Sequence, residues 1–342
     1  MSTGRSVEVL GGGLAGLSLG LALRRRGVPV TVWEAGHYPR HRVCGEFITG
    51  LDRVTAETLG VGALLGTARR HRTLAWFHRD RPAGVSTLPE AALAVSRHRL
   101  DDQLAAAFRA AGGVLHTGVR KDLGDTGPGQ VVAAGRHRSA SPWVGLKLHA
   151  SGLTLAADLE LHLGGGAYVG LCGIEDGQVN VCGLFRRSEQ LEAGTPATVL
   201  VRHLRASGLE RLAERVQSAD TDVASVSSVA GLHFQTPEWT PGSLAIGDAY
   251  ALIPPFTGHG MAMAFQSAVT VVEPLVAWSG GDLEWDEATC RAHRGLTLRF
   301  RRRLTVARQL HRFLVERHLQ PCFAGLSRAG LLPFRLLYCL LH

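Results

Sequence analysis

The hydrophobic pattern opens with a strand, a turn and a helix. Val7, Val9 and Leu10 form a short apolar run that stops at glycines. Residues 17–26 carry Leu17, Leu19, Leu21, Ala22 and Leu23 and predict an apolar helix that Gly27 ends. Residues 28–33 predict a second apolar strand, closed by Glu34. Residues 51–65 have helical spacing, and 73–77 and 84–88 predict two short strands. Ser96 caps a helix that runs to Ala111 with Leu100, Leu104 and Phe108 on one face, and Gly112-Gly113 ends it. Residues 114–116 and 131–136 predict short strands that return to the first sheet, with a loop over 123–130.

The pattern then changes. Residues 143–149, 158–163, 167–174 and 178–185 predict consecutive strands with turns such as Glu175-Asp176-Gly177. They form an inserted antiparallel sheet. Residues 195–207 and 209–218 predict helices, and 222–234 a long strand. A second anchor follows. An apolar strand from Ser243 ends in Gly247-Asp248, a proline loop comes next, and a glycine-rich helix starts near Thr257. Residues 284–319 predict a long helix with Leu296, Phe300, Leu304, Leu310 and Leu314 among its apolar positions, and 331–341 is an apolar tail. The fold class is α/β.

The first unit carries chemistry. Gly11, Gly13 and Gly16 stand at G-x-G-x-x-G spacing after a strand and before a helix, with an acid about twenty residues on. Gly11 permits the tight turn, Gly13 admits a pyrophosphate to the backbone, and Gly16 lets helix and strand pack closely. The helix N-terminus, with Ala15 in its first turn, offers amides and a positive dipole end to phosphates. Glu34 is placed to accept hydrogen bonds from a ribose diol.

Other positions have two readings each. Arg40 and Arg42 contact phosphate or face solvent. Cys44, followed by Gly45, is a thiol beside a redox ring or a small buried hydrophobe. Arg97 reaches the pyrophosphate or pairs with Asp101 on the surface. His149 and His162 line a cavity or sit on the polar face of a sheet. Late in the chain, Asp248 at a strand end can bind a ribose or ribityl hydroxyl, and Gly258 and Gly260 let the backbone lie against a flat ring.

Composition narrows the class. With 342 residues and 45% hydrophobic content the chain builds one large α/β domain or two joined ones, which excludes disorder. The formal charge is +8, nearly all arginine, since the only lysines are Lys121 and Lys147. These arginines are spread along the chain without interleaved aromatics, so no nucleic-acid partner is expected. No apolar leader precedes the first strand, and no uninterrupted apolar segment is long enough to span a bilayer. Six scattered cysteines without C-x-x-C predict neither a zinc site nor a disulfide framework, and a reducing cytoplasm.

Two motifs in combination, the G-x-G-x-x-G…Glu34 unit and Gly247-Asp248-Ala249…Pro255…Gly258…Gly260, resemble the FAD-dependent monooxygenases of the aromatic hydroxylase type. The loop Arg42-Val43-Cys44-Gly45-Glu46 looks like that of geranylgeranyl reductases of the same superfamily. Ser96-Arg97…Leu100-Asp101 and Ala133-Ala134-Gly135-Arg136 match further family elements. The resemblance implies a three-layer, FAD-binding Rossmann-like fold. Residues 1–70, 96–142 and 243–280 would form the FAD-binding domain. Residues 71–95 and 143–242 would form a substrate-binding sheet, and 281–342 a C-terminal helical segment.

By position, Gly11, Gly13, Ala15, Gly16 and Glu34 would hold the ADP half, with Arg42 and Arg97 near the pyrophosphate. Asp248 would bind the ribityl side, and Pro255, Gly258 and Gly260 would border the isoalloxazine. His259, where the family often has another residue, is expected to be neutral at a helix N-terminus and to offer one hydrogen bond at the ring. The family's Asp-Gly pair is absent after Arg136, which leaves the route of reduction by NAD(P)H open. The Trp-x-Trp-x-Ile-Pro signature of flavin halogenases is also absent, so halogenation is not expected.

The expected activity is hydroxylation of an apolar, aromatic or polyketide-like small molecule through a flavin hydroperoxide. The alternative is reduction of an isoprenoid- or lipid-like alkene with Cys44 and His259 at the flavin. A further alternative is a binding or escort protein that no longer uses flavin. The arginines 299, 301, 302 and 303 and the apolar tail predict a helical cap or a surface that rests on a membrane.

Overall fold

The computed structural model describes residues 4–124, 126–136, 140–188, 191 and 194–342. The opening unit is β1 (Val7–Leu10), α1 (Leu14–Arg25) and β2 (Val30–Glu34). A short β3 (Phe47–Ile48) and α2 (Arg53–Leu59) follow. The helix expected over 51–65 is thus cut short, because Gly60 takes a left-handed φ of 72° and caps it.

β4 (Arg69–His78) and β5 (Arg81–Ala94) are one long hairpin rather than two short strands. Arg79 and Asp80 at its tip both take positive φ, 48° and 60°, as a tight two-residue hairpin turn demands. The chain returns through α3 (Arg97–Ala110), β6 (Val114–Thr117) and β7 (Gln130–Val132). β8 (Trp143–Ser151), β9 (Leu159–Gly164), β10 (Ala167–Gly173) and β11 (Val179–Arg186) form the meander. α4 (Pro196–Ala206), α5 (Glu210–Ser218) and β12 (Asp220–Ala230) complete this part. The C-terminal part is α6 (Gly260–Gly280), α7 (Trp285–Val315), α8 (Gln320–Arg328) and α9 (Phe334–Leu341).

Two sheets result. The parallel one has the order β6-β2-β1-β7. The larger one runs β12-β8-β11-β10-β9-β4-β5-β3. It departs from the antiparallel sheet expected at one joint, where β4 pairs parallel to β9. The chain leaves this sheet after β5 and comes back only after the crossover through α3, β6 and β7, and such a long return permits parallel pairing. The strand expected before Asp248 is reduced to one parallel bridge, Ala245 with Val132. Gly247 then turns the chain at φ 61° into a single 3-10 turn.

One core lies around the parallel sheet, α1, α3, α6 and α7. Another fills the space between the large sheet and α4 and α5. A third, with Trp76, Tyr168, Leu314 and Phe323, joins the other face of that sheet to α7 and α8. Two sequence expectations need correction. α6 is long and apolar enough to cross a membrane, with mean hydropathy 1.3, yet most of it is buried against α1 and α7. Arg303 does not belong to an exposed basic cluster. It is buried, donates to Gln266 Oε1 at 2.6 Å, and burial pushes its pKa down to about 10.

Candidate active site

The glycine turn is built as its spacing requires. Gly11 has φ +122°, and a Cβ there would lie 2.3 Å from the Ala133 carbonyl oxygen. A Cβ on Gly16 would lie 2.0 Å from the Gly11 carbonyl oxygen. Gly13 differs. Its nearest neighbour would be Arg97 Nη2 at 3.9 Å, so it faces open space. It is also the N-cap of α1, and no side chain caps that end. The free amides and the dipole therefore point into a cavity with Arg97 beside them.

Glu34 is buried. Its oxygens accept from the Gly12 amide at 2.9 Å and the Gly36 amide at 2.8 Å. Arg40 and Arg42 close on it at 3.1 and 3.5 Å, so both turn to a carboxylate rather than to solvent. Burial alone would raise its pKa, but Arg42, the Gly36 amide, Arg40 and the Gly12 amide hold it below the usual value. Arg97 binds Asp101 through two 2.8 Å hydrogen bonds, and Arg42 reaches the same carboxylate at 3.0 Å. The Arg97–Asp101 pair is buried, not on the surface, and it sets the guanidinium against the glycine turn.

Asp248 opens onto the other side of the same cavity and accepts no hydrogen bond from the described residues. Enclosure by the surrounding walls raises its pKa, against the pull of Arg97, Arg136 and Arg42. A 3-10 turn over Pro255–Thr257 leads to Gly258 at φ 69°, where a Cβ would lie 2.4 Å from the Phe47 ring. Gly260 starts α6 with nothing near its Cβ position.

Burial and then Arg303 and His342 push the pKa of His259 well below 6.5, the direction that favours the neutral ring. The aim of its hydrogen bonds differs from the expectation. Nδ1 donates to the Thr257 carbonyl at 2.7 Å and Nε2 faces His342 Nε2 at 3.2 Å, so its hydrogen bonds run into protein.

Cys44 lines the cavity, and burial raises its pKa, which keeps the thiol protonated. Its loop is clamped to the large sheet. Asn180 Nδ2 donates to the Cys44 carbonyl at 3.1 Å and Cys172 Sγ to the Gly45 carbonyl at 3.4 Å. Glu46, at φ 55°, sends its side chain under the loop. One oxygen meets Lys147 Nζ at 3.2 Å and the Arg97 amide at 2.9 Å, and the other meets His149 Nε2 at 2.5 Å. Burial would raise this carboxyl, but His149, Lys147 and the Arg97 amide hold it low.

Glu46 and Lys147 were not singled out in the sequence. The available signal was a lysine, one of two in the chain, between two leucines in the strand Trp143–Ser151. His149 and His162 do not line the cavity. His149 lies behind Glu46, and His162 bonds Glu160 at 2.8 Å and stacks on Phe77. Of the residues singled out for the cofactor and for catalysis, only Gly16 stays off the cavity wall, and its role is the close packing expected of it.

The cavity measures about 1280 Å³. That exceeds the roughly 300–1,000 Å³ of a site for one drug-sized ligand. Beyond Asp248 and Gly258 its walls become apolar, with Leu74, Trp76, Leu161, Tyr168, Phe256 and Phe334.

A family model for the NAD(P)-binding Rossmann-like domain matches residues 9–50. Over 108 residues the chain is 32% identical to the menaquinone reductase of Mycolicibacterium smegmatis, a stretch that covers 30% of this chain and 26% of that relative. The match therefore spans about a quarter of the curated relative's length. PqsL of Pseudomonas aeruginosa, solved with 2-aminobenzoylacetate, superposes with a TM-score of 0.70 at 17% identity, over 96% of this chain and 99% of PqsL. The flavin-dependent brominase Bmp2 gives 0.75 at 16% identity, over 98% and 93%. A 2-methyl-3-hydroxypyridine-5-carboxylic acid oxygenase gives 0.70 at 18%, over 97% and 98%. The chain therefore shares the fold of these three proteins.

Proposed function

We propose that the chain is an FAD-dependent oxidoreductase, a monooxygenase acting on a small apolar molecule, with NAD(P)H as electron donor. One observation carries this reading. A single cavity joins the uncapped N-terminus of α1, Glu34 and Asp248 to an apolar chamber large enough for a second molecule.

The residues fit the cofactor. Gly13 and the first amides of α1 would hold the pyrophosphate with Arg97. Glu34 would take a ribose hydroxyl in exchange for the Arg42 contact, the longest of its four, since a carboxylate accepts about four hydrogen bonds. Asp248 would take the ribityl hydroxyls, and the open space at Gly260 would border the ring, with α6 aiming its positive end there, while Gly258 makes room for Phe47. When bound, FAD supplies electron transfer and oxygen chemistry. The parallel sheet would thus hold the cofactor, and the large sheet with α8 and α9 would enclose the substrate and exclude water. The fold is shared with a brominase, but the halogenase signature is absent from this sequence. The six thiols, none of them in a disulfide, suit a reducing cytoplasm.

The absorbance spectrum of the purified protein tests the cofactor, followed by NADH or NADPH oxidation coupled to oxygen uptake. Protein that is colourless and binds no added FAD would overturn the reading. A protonated Cys44 on the cavity wall, with the likeness to menaquinone reductase, favours a second reading, alkene reduction with Cys44 as proton donor. Cys44→Ala should then lower turnover about a hundredfold or more, the usual range for a general acid. A hydroxylase should lose less than about threefold, because that chemistry needs no acid at this position.

A further inference from the structure

α8 ends in a Schellman-type turn. Ala329 closes the helix, Gly330 takes φ +68°, and the Leu331 amide donates to the Leu326 carbonyl at 2.9 Å. This geometry sets the Leu331 side chain beside that of Leu326, a pair such turns usually bury. Here the two are 68% and 46% exposed. Leu336 of α9 and Val85 of β5 are exposed as well. Arg328 and Arg335 flank them, and neither pairs with a carboxylate among the described residues. Glu90 acts instead at Tyr338 and His342, toward the other end of α9.

Behind this patch is a recess lined by Val85, Ser327, Gly330, Leu332, Phe334 and Arg335 among others. Leu332 and Phe334 also line the large cavity. Two side chains therefore belong to both spaces and divide them.

We propose that the turn between α8 and α9 docks on an anionic lipid bilayer, and that apolar substrate passes between bilayer and cavity past Leu332 and Phe334. The leucines enter the headgroup boundary, and the arginines meet lipid phosphates. A second copy of the chain is a poorer occupant, since a two-fold contact through this face sets arginine against arginine. Docking stands on the patch itself; passage rests on the apolar substrate proposed above.

Co-sedimentation of the full chain, loaded with FAD or not, with phosphatidylcholine vesicles with and without phosphatidylglycerol tests docking independently of turnover. Binding should require phosphatidylglycerol and weaken with salt. Leu331→Glu with Leu336→Glu, and Arg328→Glu with Arg335→Glu, should each cut the bound fraction about tenfold without moving the thermal melt. Absence of binding by the parent chain, or variants that bind like it, overturns docking. So does a dimer, seen by sedimentation velocity, that the leucine variants abolish. For passage, Leu332→Trp should slow transfer of Nile red from vesicles into the protein severalfold, and an unchanged rate overturns it.

Discussion

Asp248 and Lys147 show how differently one side chain can be used. Asp248 lies on a cavity wall and accepts no hydrogen bond from the described residues, which suits the proposed role of binding hydroxyls. Hydrogen bonds to a charged group contribute roughly 1.5–3 kcal/mol each. Asp248→Ala should therefore weaken FAD binding roughly ten- to hundredfold in a flavin-fluorescence titration, with the fold unchanged. Lys147 has no exposure, and its ammonium meets Glu46, itself fully buried. Lys147→Met leaves that carboxylate with less compensation, and breaking such a pair costs about 3–5 kcal/mol. The midpoint of urea denaturation should fall accordingly, and Glu46→Leu added to Lys147→Met should recover part of the loss. Asp248 was legible because it follows a glycine at the end of an apolar run. Glu46 was not, because its side-chain partners Lys147 and His149 lie about a hundred residues away on β8.

The strand–turn–helix unit makes a sharper comparison, since its glycines do two separate jobs. Gly16 lies against the turn, where an added methyl meets a carbonyl oxygen at 2.0 Å. Gly13 has space on the protein side and borders the cavity. Gly16→Ala should lower the melting temperature, with a cost of about 1–3 kcal/mol or more from overpacking. Gly13→Ala should cost about 1 kcal/mol or less, because its φ of −84° suits alanine, yet it should weaken FAD binding by more than about tenfold. Calorimetry and flavin titration on the two variants check this, and equal effects on stability would contradict the division. α9 was legible only as an apolar tail over 331–341, and α8 was not read from the sequence. Their separation by a left-handed Gly330 is a turn that apolar periodicity does not announce.

At the scale of the whole molecule, the layers meet through buried rings with no charge partner. His311 of α7 lies among Trp143, Tyr168, Phe234 and Phe256, and neither ring nitrogen has a hydrogen-bond partner among the described residues. Burial lowers its pKa from 6.5 to about 4. The unfolded chain therefore binds the extra proton between these values. Stability from His311 is fully present above pH 6.5 and is lost as pH falls through 4. The melting temperature should drop between pH 6.5 and 4, and His311→Phe should flatten that part of the profile.

The local geometry of the proposed cofactor end was legible in the sequence alone. Gly11, Gly13, Gly16 and Glu34 act within one strand–helix–strand unit, where spacing along the chain fixes spacing in space. Asp248, Gly258 and Gly260 were readable because they lie within thirteen residues of one another, between the end of an apolar run and the start of α6. Tertiary structure decided the rest. It turned Arg40 and Arg42 onto Glu34, sent the hydrogen bonds of His259 into protein, and moved His149 and His162 off the cavity wall. It also paired β4 with β9 and put a lysine beneath the Cys44 loop. These outcomes depend on burial and on partners far apart in sequence, and a desolvated charge takes whichever partner the packing of the sheets brings within reach.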